Sequence, residues 1–300
     1  MKLFSGTANL ALSQSIAKEL GTQLGDLEII RFADSECRVK LSAEVKNEEV
    51  FVIQPTSTPV DENLMELLLV GDAIKRANPR KLTAVIPYFG YQRQDKIHRM
   101  GEALSAKVAV KIIERVGYDE IIVVDPHSEL LVGFFGIPVT SISAFSLFEP
   151  QVKEYGKDVI IVAPDAGGAK RAQLFARSLG APLALIEKWR DLSQIHTTQS
   201  LGVIGDVQGK IAIIVDDAYV TGATTAHAAS LLKERGAKEV IAFATQPVFA
   251  KDAAKTLQES DLSKVFTTDV IDIPQEKRFP KLTILPIAPL ISESIKNNSL

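Results

Sequence analysis

The 300 residues carry 34 Lys+Arg against 37 Asp+Glu, a formal charge of −3. That balance excludes a nucleic-acid polymer held mainly through its phosphates, which needs a basic surplus. Apolar residues at 46% and charged residues at 24% exclude wholesale disorder, and the single cysteine, Cys37, excludes an intramolecular disulfide framework or a thiolate zinc cluster. No apolar run reaches the ~18 residues of a membrane helix, and residues 1–6 do not open a signal peptide. The expectation is a cytoplasmic chain of about two domains with no membrane partner.

Helix and strand signals alternate along the chain. Residues 72–87 read as helix (DAIKRA), turn (Asn78-Pro79) and strand (LTAVI), stopped by Pro87. Residues 112–127 repeat the form, with a helix end (IIERV), Gly117, a strand (EIIVV) and a stop at Asp125-Pro126-His127. Near 145–155, Glu149-Pro150 interrupts a helical segment and marks a domain boundary. Two strands follow at 158–165 (DVIIVAPD) and 210–217 (KIAIIVDD). The polar stretch 190–208 between them has no strong periodicity and reads as a functional lid or partly disordered. A helix over 226–235, Gly236 and the strand EVIAFA, stopped at Thr245-Gln246, close the pattern. Short apolar runs without alternation are strands buried on both faces, and helices between them make parallel βαβ units. The fold class is α/β, with two similar domains at 1–146 and 147–300, each a mainly parallel sheet flanked by helices.

In open parallel sheets ligands sit beyond the carboxyl ends of the strands. Here those ends hold Pro87-Tyr88, Asp125, His127, Asp165, Lys188, Asp216-Asp217 and Gln246. Rich in carboxylates and short of general-base histidines, they suit phosphates and metal better than acyl transfer. The most informative segment is Val215-Asp216-Asp217-Ala218-Tyr219-Val220-Thr221-Gly222-Ala223-Thr224-Thr225. Gly222 and Ala223 let backbone N–H groups approach a phosphate, the threonines add hydroxyl donors, and a following helix N-terminus favours an anion. The paired carboxylates can accept hydrogen bonds from vicinal ribose hydroxyls. Taken alone, the segment reads equally as a turn and helix cap.

This segment matches the phosphoribosyl-diphosphate loop shared by type I phosphoribosyltransferases and ribose-phosphate diphosphokinases. Arg31-Phe32-Ala33-Asp34-Ser35-Glu36, Glu62-Asn63-Leu64-Met65-Glu66-Leu67-Leu68 and Pro87-Tyr88-Phe89-Gly90-Tyr91-Gln92-Arg93-Gln94-Asp95-Lys96 resemble the diphosphokinases. So do Asp125-Pro126-His127, Pro164-Asp165-Ala166-Gly167-Gly168-Ala169-Lys170-Arg171 and Lys188-Trp189-Arg190, in order over nearly the whole chain. The resemblance implies a type I phosphoribosyltransferase-like fold and diphosphoryl transfer from Mg-ATP to O1 of ribose 5-phosphate. It assigns the first domain to ATP, through Phe32, Asp34, Ser35, Glu36, Arg93, Gln94, Asp95 and Lys96, with Phe32 and Arg93 sandwiching adenine. The second domain would take ribose 5-phosphate through Arg190, Asp216, Asp217, Val220, Thr221, Gly222, Ala223 and Thr224. His127 and Asp165 would serve the Mg2+, Lys188 and Arg190 on a mobile flap would be catalytic, and a homo-oligomer would share its ATP sites.

Four positions depart from the family pattern. Val220 replaces an acidic residue, Ala223 a second small residue that is commonly Gly, Gln246 a histidine, and Ser35 a frequent Gly. If position 223 needs a positive φ, alanine there costs ~1 kcal/mol. The departures motivate an alternative, a weak or inactive homologue acting as a regulatory subunit. A simple phosphoribosyltransferase is a third reading, supported by the second half alone.

Overall fold

The structure is a computed structural model that describes residues 1–189 and 200–299. The chain forms two compact units, Met1–Ser143 with Val270–Asp272 and Pro286–Leu300, and Ala144–Asp269 with Ile273–Leu285.

The first unit runs β1 (Lys2–Ser5), α1 (Leu10–Glu19), β2 (Leu27–Arg31), β3 (Cys37–Leu41), β4 (Glu49–Ile53), α2 (Val60–Arg76) and β5 (Lys81–Ile86). It continues through α3 (Ser105–Val116), β6 (Glu120–Val124), α4 (Glu129–Phe134) and β7 (Val139–Ile142). Five strands form a wholly parallel sheet in the order β1-β4-β5-β6-β7. Every residue of β4 and β6 is buried, which is why EVFVI and EIIVV carry no polar alternation. On α2 the buried Leu64, Leu67, Val70 and Ile74 recur every three or four residues, and they share one core with Ala109, Val110 and Ile113 of α3. Strands β2 and β3 pair only with each other, as an antiparallel hairpin. Its tip is residues 32–36.

The second unit runs α5 (Phe145–Lys153), β8 (Val159–Ala163), α6 (Ala169–Leu179), β9 (Leu183–Trp189), β10 (Ser200–Ile204), β11 (Ile211–Tyr219) and α7 (Ala223–Glu234). It closes with β12 (Glu239–Pro247), α8 (Ala253–Glu259), β13 (Lys264–Thr268), a short 3-10 turn (Gln275–Lys277) and β14 (Leu282–Leu285). Its sheet has the order β10-β9-β8-β11-β12-β13-β14, parallel except where β10 meets β9. From β8 the chain winds outward to β9, then returns to lay β11 on the other side of β8. That reversal creates a topological switch point, where the carboxyl ends of β8 and β11 open a crevice.

The structure corrects four details of the sequence reading. Pro150 lies inside α5 rather than ending it, because Phe148 and Val152 on either side are buried and packing outweighs the missing N–H. Strand β10 occupies part of the polar stretch, pairing antiparallel with β9. Helix α7 starts at Ala223, three residues earlier than expected, because Gly222 makes the turn. The chain end, assigned to the second domain, instead returns to the first unit as α9 (Ala288–Asn298). There Ile291 and Ile295 are fully buried, and the Ser292 hydroxyl donates to the Ile16 carbonyl at 3.4 Å. The Lys81 ammonium, 2.6 Å from Glu120 Oε2, also donates to the Asn298 carbonyl at 3.3 Å.

Candidate functional site

In the first unit, two loops leave the adjacent strands β5 and β6 at their carboxyl ends and bond to each other. The His127 amide donates to Gln92 Oε1 at 3.0 Å, and the Ser128 hydroxyl hydrogen-bonds the buried Asp95 carboxylate. Gln94 is fixed from the following helix: the Ser105 hydroxyl donates to its Oε1 at 2.7 Å, and the Ala106 amide to its carbonyl at 3.2 Å. Arg93, Gln94 and Lys96 then line a cleft of about 360 Å³ together with His98, Glu102 and Ser105. Asp95 is absent from that lining, since its carboxylate is engaged by Ser128. His127 is exposed beside it.

Phe32, Asp34, Ser35 and Glu36 occupy the hairpin tip. The Phe32 amide donates to the Glu36 carbonyl and the Ser35 amide to the Phe32 carbonyl, both at 2.9 Å, while Asp34 Oδ1 accepts from the Glu36 amide at 3.2 Å. Closing so tight a turn puts Ser35 at φ 73, a left-handed conformation glycine adopts without strain. Phe32 remains 45% exposed, so its ring is available for stacking, and the Arg38 guanidinium stands 5.6 Å from its centroid. Ser35 and Glu36 line a second cleft of about 380 Å³ with Arg31, Asp61, Glu62 and Met65. The two groups of nucleotide candidates therefore line different clefts of one chain. Burial and the nearby Glu66 charge push the thiol of Cys37, at the rim, up.

In the second unit the switch point collects the candidates. Asp165 follows β8, and its Oδ1 accepts from the Gly168 amide at 3.0 Å. Asp216 and Asp217 lie inside β11, which runs on to Tyr219 instead of ending at the acidic pair. The Asp217 amide donates to Asp216 Oδ1 at 2.8 Å. Burial, then the Asp217 carboxylate and the more distant Asp165, push the Asp216 carboxyl up from 3.8 to about 8. Donor groups or cations arriving here would restore its charge.

Residues 220–222 turn the chain from β11 into α7. Gly222 sits at φ 75, and an added Cβ would stand 2.9 Å from Leu257 Cγ and 3.3 Å from the Ala253 carbonyl. The turn is held by backbone: the Ala250 amide donates to the Val220 carbonyl at 2.7 Å, and the Phe249 amide to the Tyr219 carbonyl at 3.0 Å. Ala223 is the first residue of α7 and has no positive φ, so its expected penalty does not arise. Thr221, Ala223 and Thr224 are exposed at the helix start, whereas Thr225 is buried. Gln246, also buried, is the next-to-last residue of β12, at its carboxyl end and opposite Ala218. Lys188 belongs to β9, paired with Leu201 of β10, and Arg190 lies outside the described residues.

Among the described residues no group of three or more His, Cys, Asp or Glu could hold a metal ion by itself. Mg2+ keeps several waters and is usually bound through one or two carboxylates and substrate phosphates. Asp165, near enough to raise the Asp216 pKa, offers a carboxylate of that kind. Sequence reasoning missed Glu66, a fully buried carboxylate on α2 that accepts from Arg31 Nη2 at 2.9 Å. Its only advance signal is the Glu62/Glu66 spacing of one helical turn.

Comparison with known proteins gives consistent matches. A family profile described as the N-terminal domain of ribose phosphate pyrophosphokinase matches residues 1–117, and one described as the phosphoribosyl synthetase-associated domain matches residues 190–299. A ribose-phosphate pyrophosphokinase of Thermosipho africanus is 42% identical, covering 98% of this chain and 93% of that one. The chloroplastic ribose-phosphate pyrophosphokinase 2 of Arabidopsis thaliana is 43% identical, covering 98% of this chain and 74% of that one. The crystal structure of phosphoribosylpyrophosphate synthetase from Mycobacterium smegmatis aligns with a TM-score of 0.94 at 38% identity, covering 99% of this chain and 98% of that one.

Proposed function

The chain belongs to the ribose-phosphate pyrophosphokinase family, and from that premise we propose that it transfers the diphosphoryl group of Mg-ATP to O1 of ribose 5-phosphate. The O1 oxygen attacks the β-phosphorus, the bond from that phosphorus to the α-phosphate bridging oxygen breaks, and AMP leaves while the O1 proton is released. The observation that carries the reading is the switch point, where the turn at 220–222 and the start of α7 follow within a few residues of two adjacent carboxylates.

The cradle would hold the 5-phosphate through N–H groups at the start of α7, with Thr221 and Thr224 as hydroxyl donors. Asp216 and Asp217 would accept from the ribose hydroxyls. In the first unit, Arg93 and Lys96 in their cleft carry the positive charge that nucleotide phosphates need, and Gln94, already oriented by Ser105, the amide. Asp34 and Glu36 on the hairpin would meet the base and Phe32 stack on it. Phosphoryl transfer depends on positioning and charge compensation more than on a covalent nucleophile, so Lys188 and Arg190 would act on the developing negative oxygens. Mg2+ bound with ATP would supply further charge neutralisation; His127 would hold that ion, and Asp165 would bind metal near the ribose.

The hairpin tip and Arg93 line different clefts of one chain, and we propose a homo-oligomer in which a second copy's hairpin completes a shared ATP site. No helix among the described residues is long and apolar enough to cross a membrane, and we place the reaction in the cytoplasm. The test is AMP release from Mg-ATP and ribose 5-phosphate by the purified protein. Release no faster than by a Lys188→Ala variant would overturn the enzyme reading in favour of a regulatory subunit.

A further inference from the structure

We propose that Arg31 and Glu66 are positioning residues that fix the hairpin tip 32–36 for nucleotide binding, with α2 as its mount. This rests on the reading above that the tip meets ATP.

The hairpin is joined to the rest of its unit in two different ways. Its body is held by apolar packing, since Leu27, Ile29, Val39 and Leu41 lie against the core shared by α2 and α3. Its tip, residues 32–36, is exposed throughout, and a two-stranded ribbon alone is marginally stable. Arg31, the last residue of β2, immediately precedes Phe32 and reaches α2 instead. Its Nη2 donates to Glu66 Oε2 at 2.9 Å, and its Nη1 lies 3.5 Å from Glu62 Oε2 one turn earlier.

Glu66 is fully buried, and its remaining acceptor capacity is taken up. Thr7 donates its amide to Oε1 at 2.6 Å and its hydroxyl to both oxygens, at 2.9 and 2.8 Å, and Gln54 Nε2 donates to Oε1 at 2.9 Å. Thr7 and Gln54 follow the carboxyl ends of β1 and β4. The enclosure is tight: an added Cβ at Gly6 would meet Gln54 and stand 2.8 Å from Glu66 Oε1. A buried carboxylate is a weak source of net stability because its desolvation is costly. What this one supplies is direction, because a charge-assisted pair has a defined geometry that apolar contact lacks. The same helix also receives the other nucleotide loop, since Tyr91 hydrogen-bonds Asp61 in the first turn of α2.

The test uses the full-length protein with Arg31→Met, Arg31→Lys and Phe32→Ala. Arg31 is partly exposed, so Arg31→Met leaves the buried Thr7–Gln54–Glu66 bonds in place. Arg31→Met should speed hydrogen exchange at the Phe32 and Ser35 amides and raise the KM for ATP about tenfold, leaving the KM for ribose 5-phosphate unchanged. Arg31→Lys, which keeps the charge but not the fork, should fall between. Unchanged exchange in Arg31→Met would overturn the proposal. If Phe32→Ala raised the ATP KM while Arg31→Met did not, the positioning role alone would fall. If exchange rose but neither variant moved the ATP KM, the nucleotide reading of the tip would fall, and the proposal with it.

Discussion

The proposed nucleotide elements of the first unit and the proposed phosphoribosyl loop of the second are anchored by different kinds of bond. Residues 32–36 and 92–95 close on themselves through backbone bonds but are anchored to neighbouring elements largely through side chains: Arg31 to Glu66, Tyr91 to Asp61, Gln92 to the His127 amide, Asp95 to Ser128. The turn at 220–222 is tied down through its backbone, with the Tyr219 and Val220 carbonyls bonded to the Phe249 and Ala250 amides. A loop held by side chains depends on residue identity; a loop held by backbone depends on φ, ψ and room for Cβ atoms. This explains why Val220 and Ala223 can depart from the family pattern without disturbing the turn, and it says where substitution should hurt.

The largest effect is expected at Gly222, where the backbone needs φ 75 and a Cβ would crowd Leu257. Gly222→Ala should destabilise the protein by about 1–3 kcal/mol and raise the KM for ribose 5-phosphate at least about tenfold. Denaturant unfolding and steady-state kinetics at fixed ATP would measure both. Normal ribose 5-phosphate kinetics in this variant would break the distinction between the two loops.

Asp216→Asn separates binding from stability. The folded-state pKa of Asp216 is raised above its ordinary 3.8 to about 8. As pH rises from about 4 to about 8 the unfolded chain gives up this proton first, so folding stability is lost over that window. In the ligand-free protein Asp216→Asn should therefore melt above the parent at pH 8, and the advantage should vanish towards pH 4. The same variant should show a smaller thermal shift with ribose 5-phosphate, since an amide accepts less well from the ribose hydroxyls. A pH-independent difference in melting temperature would rule out this carboxyl as the cause.

Ser35→Gly probes the other loop. Glycine removes the strain of φ 73 but loosens the unfolded chain, so a net gain of at most about 1 kcal/mol is expected. The ATP KM should stay within about twofold, because the tip's own hydrogen bonds at Phe32 and Ser35 are backbone bonds that glycine retains. A drop in unfolding midpoint would contradict the strain account.

These contrasts also show what the amino-acid sequence makes legible. The parallel sheets are visible because the IIVV of β6 and the IAIIV within β11 are continuous apolar runs, as burial on both faces permits. The acidic pair and the Thr-Gly turn are visible because ligand chemistry is concentrated in adjacent residues. Glu66 is not, since within ENLMELL it has the spacing of a solvated helix charge. Its burial is created by Thr7, Gln54 and Arg31, which arrive from three distant segments. The return of α9 to the first unit is hidden for the same reason: amphipathic periodicity says that a helix has a buried face, not which sheet it covers. Helix α7 begins early because one left-handed glycine makes the whole turn, which leaves Ala223 free to be helical.

The smallest effect is expected from truncating Val220, and for a charged replacement there the sign matters more than the size. The Val220 carbonyl is fixed by the Ala250 amide whatever its side chain, so Val220→Ala should change the ribose 5-phosphate KM by no more than about twofold. Val220→Asp should do more, because a carboxylate adds an acceptor for a sugar hydroxyl that valine cannot supply, and the KM should fall by a few-fold. Neighbouring acidic groups limit the gain: Asp216 and Asp217 lie close by in sequence, and the 5-phosphate is itself an anion. Measuring both variants at two ionic strengths would distinguish these contributions, since salt screens the repulsion more than it weakens a short hydrogen bond. A KM that rises in Val220→Asp at both salt concentrations would mean that valine suits this chain's cradle, and that the departure at 220 is an adaptation of the loop rather than a loss.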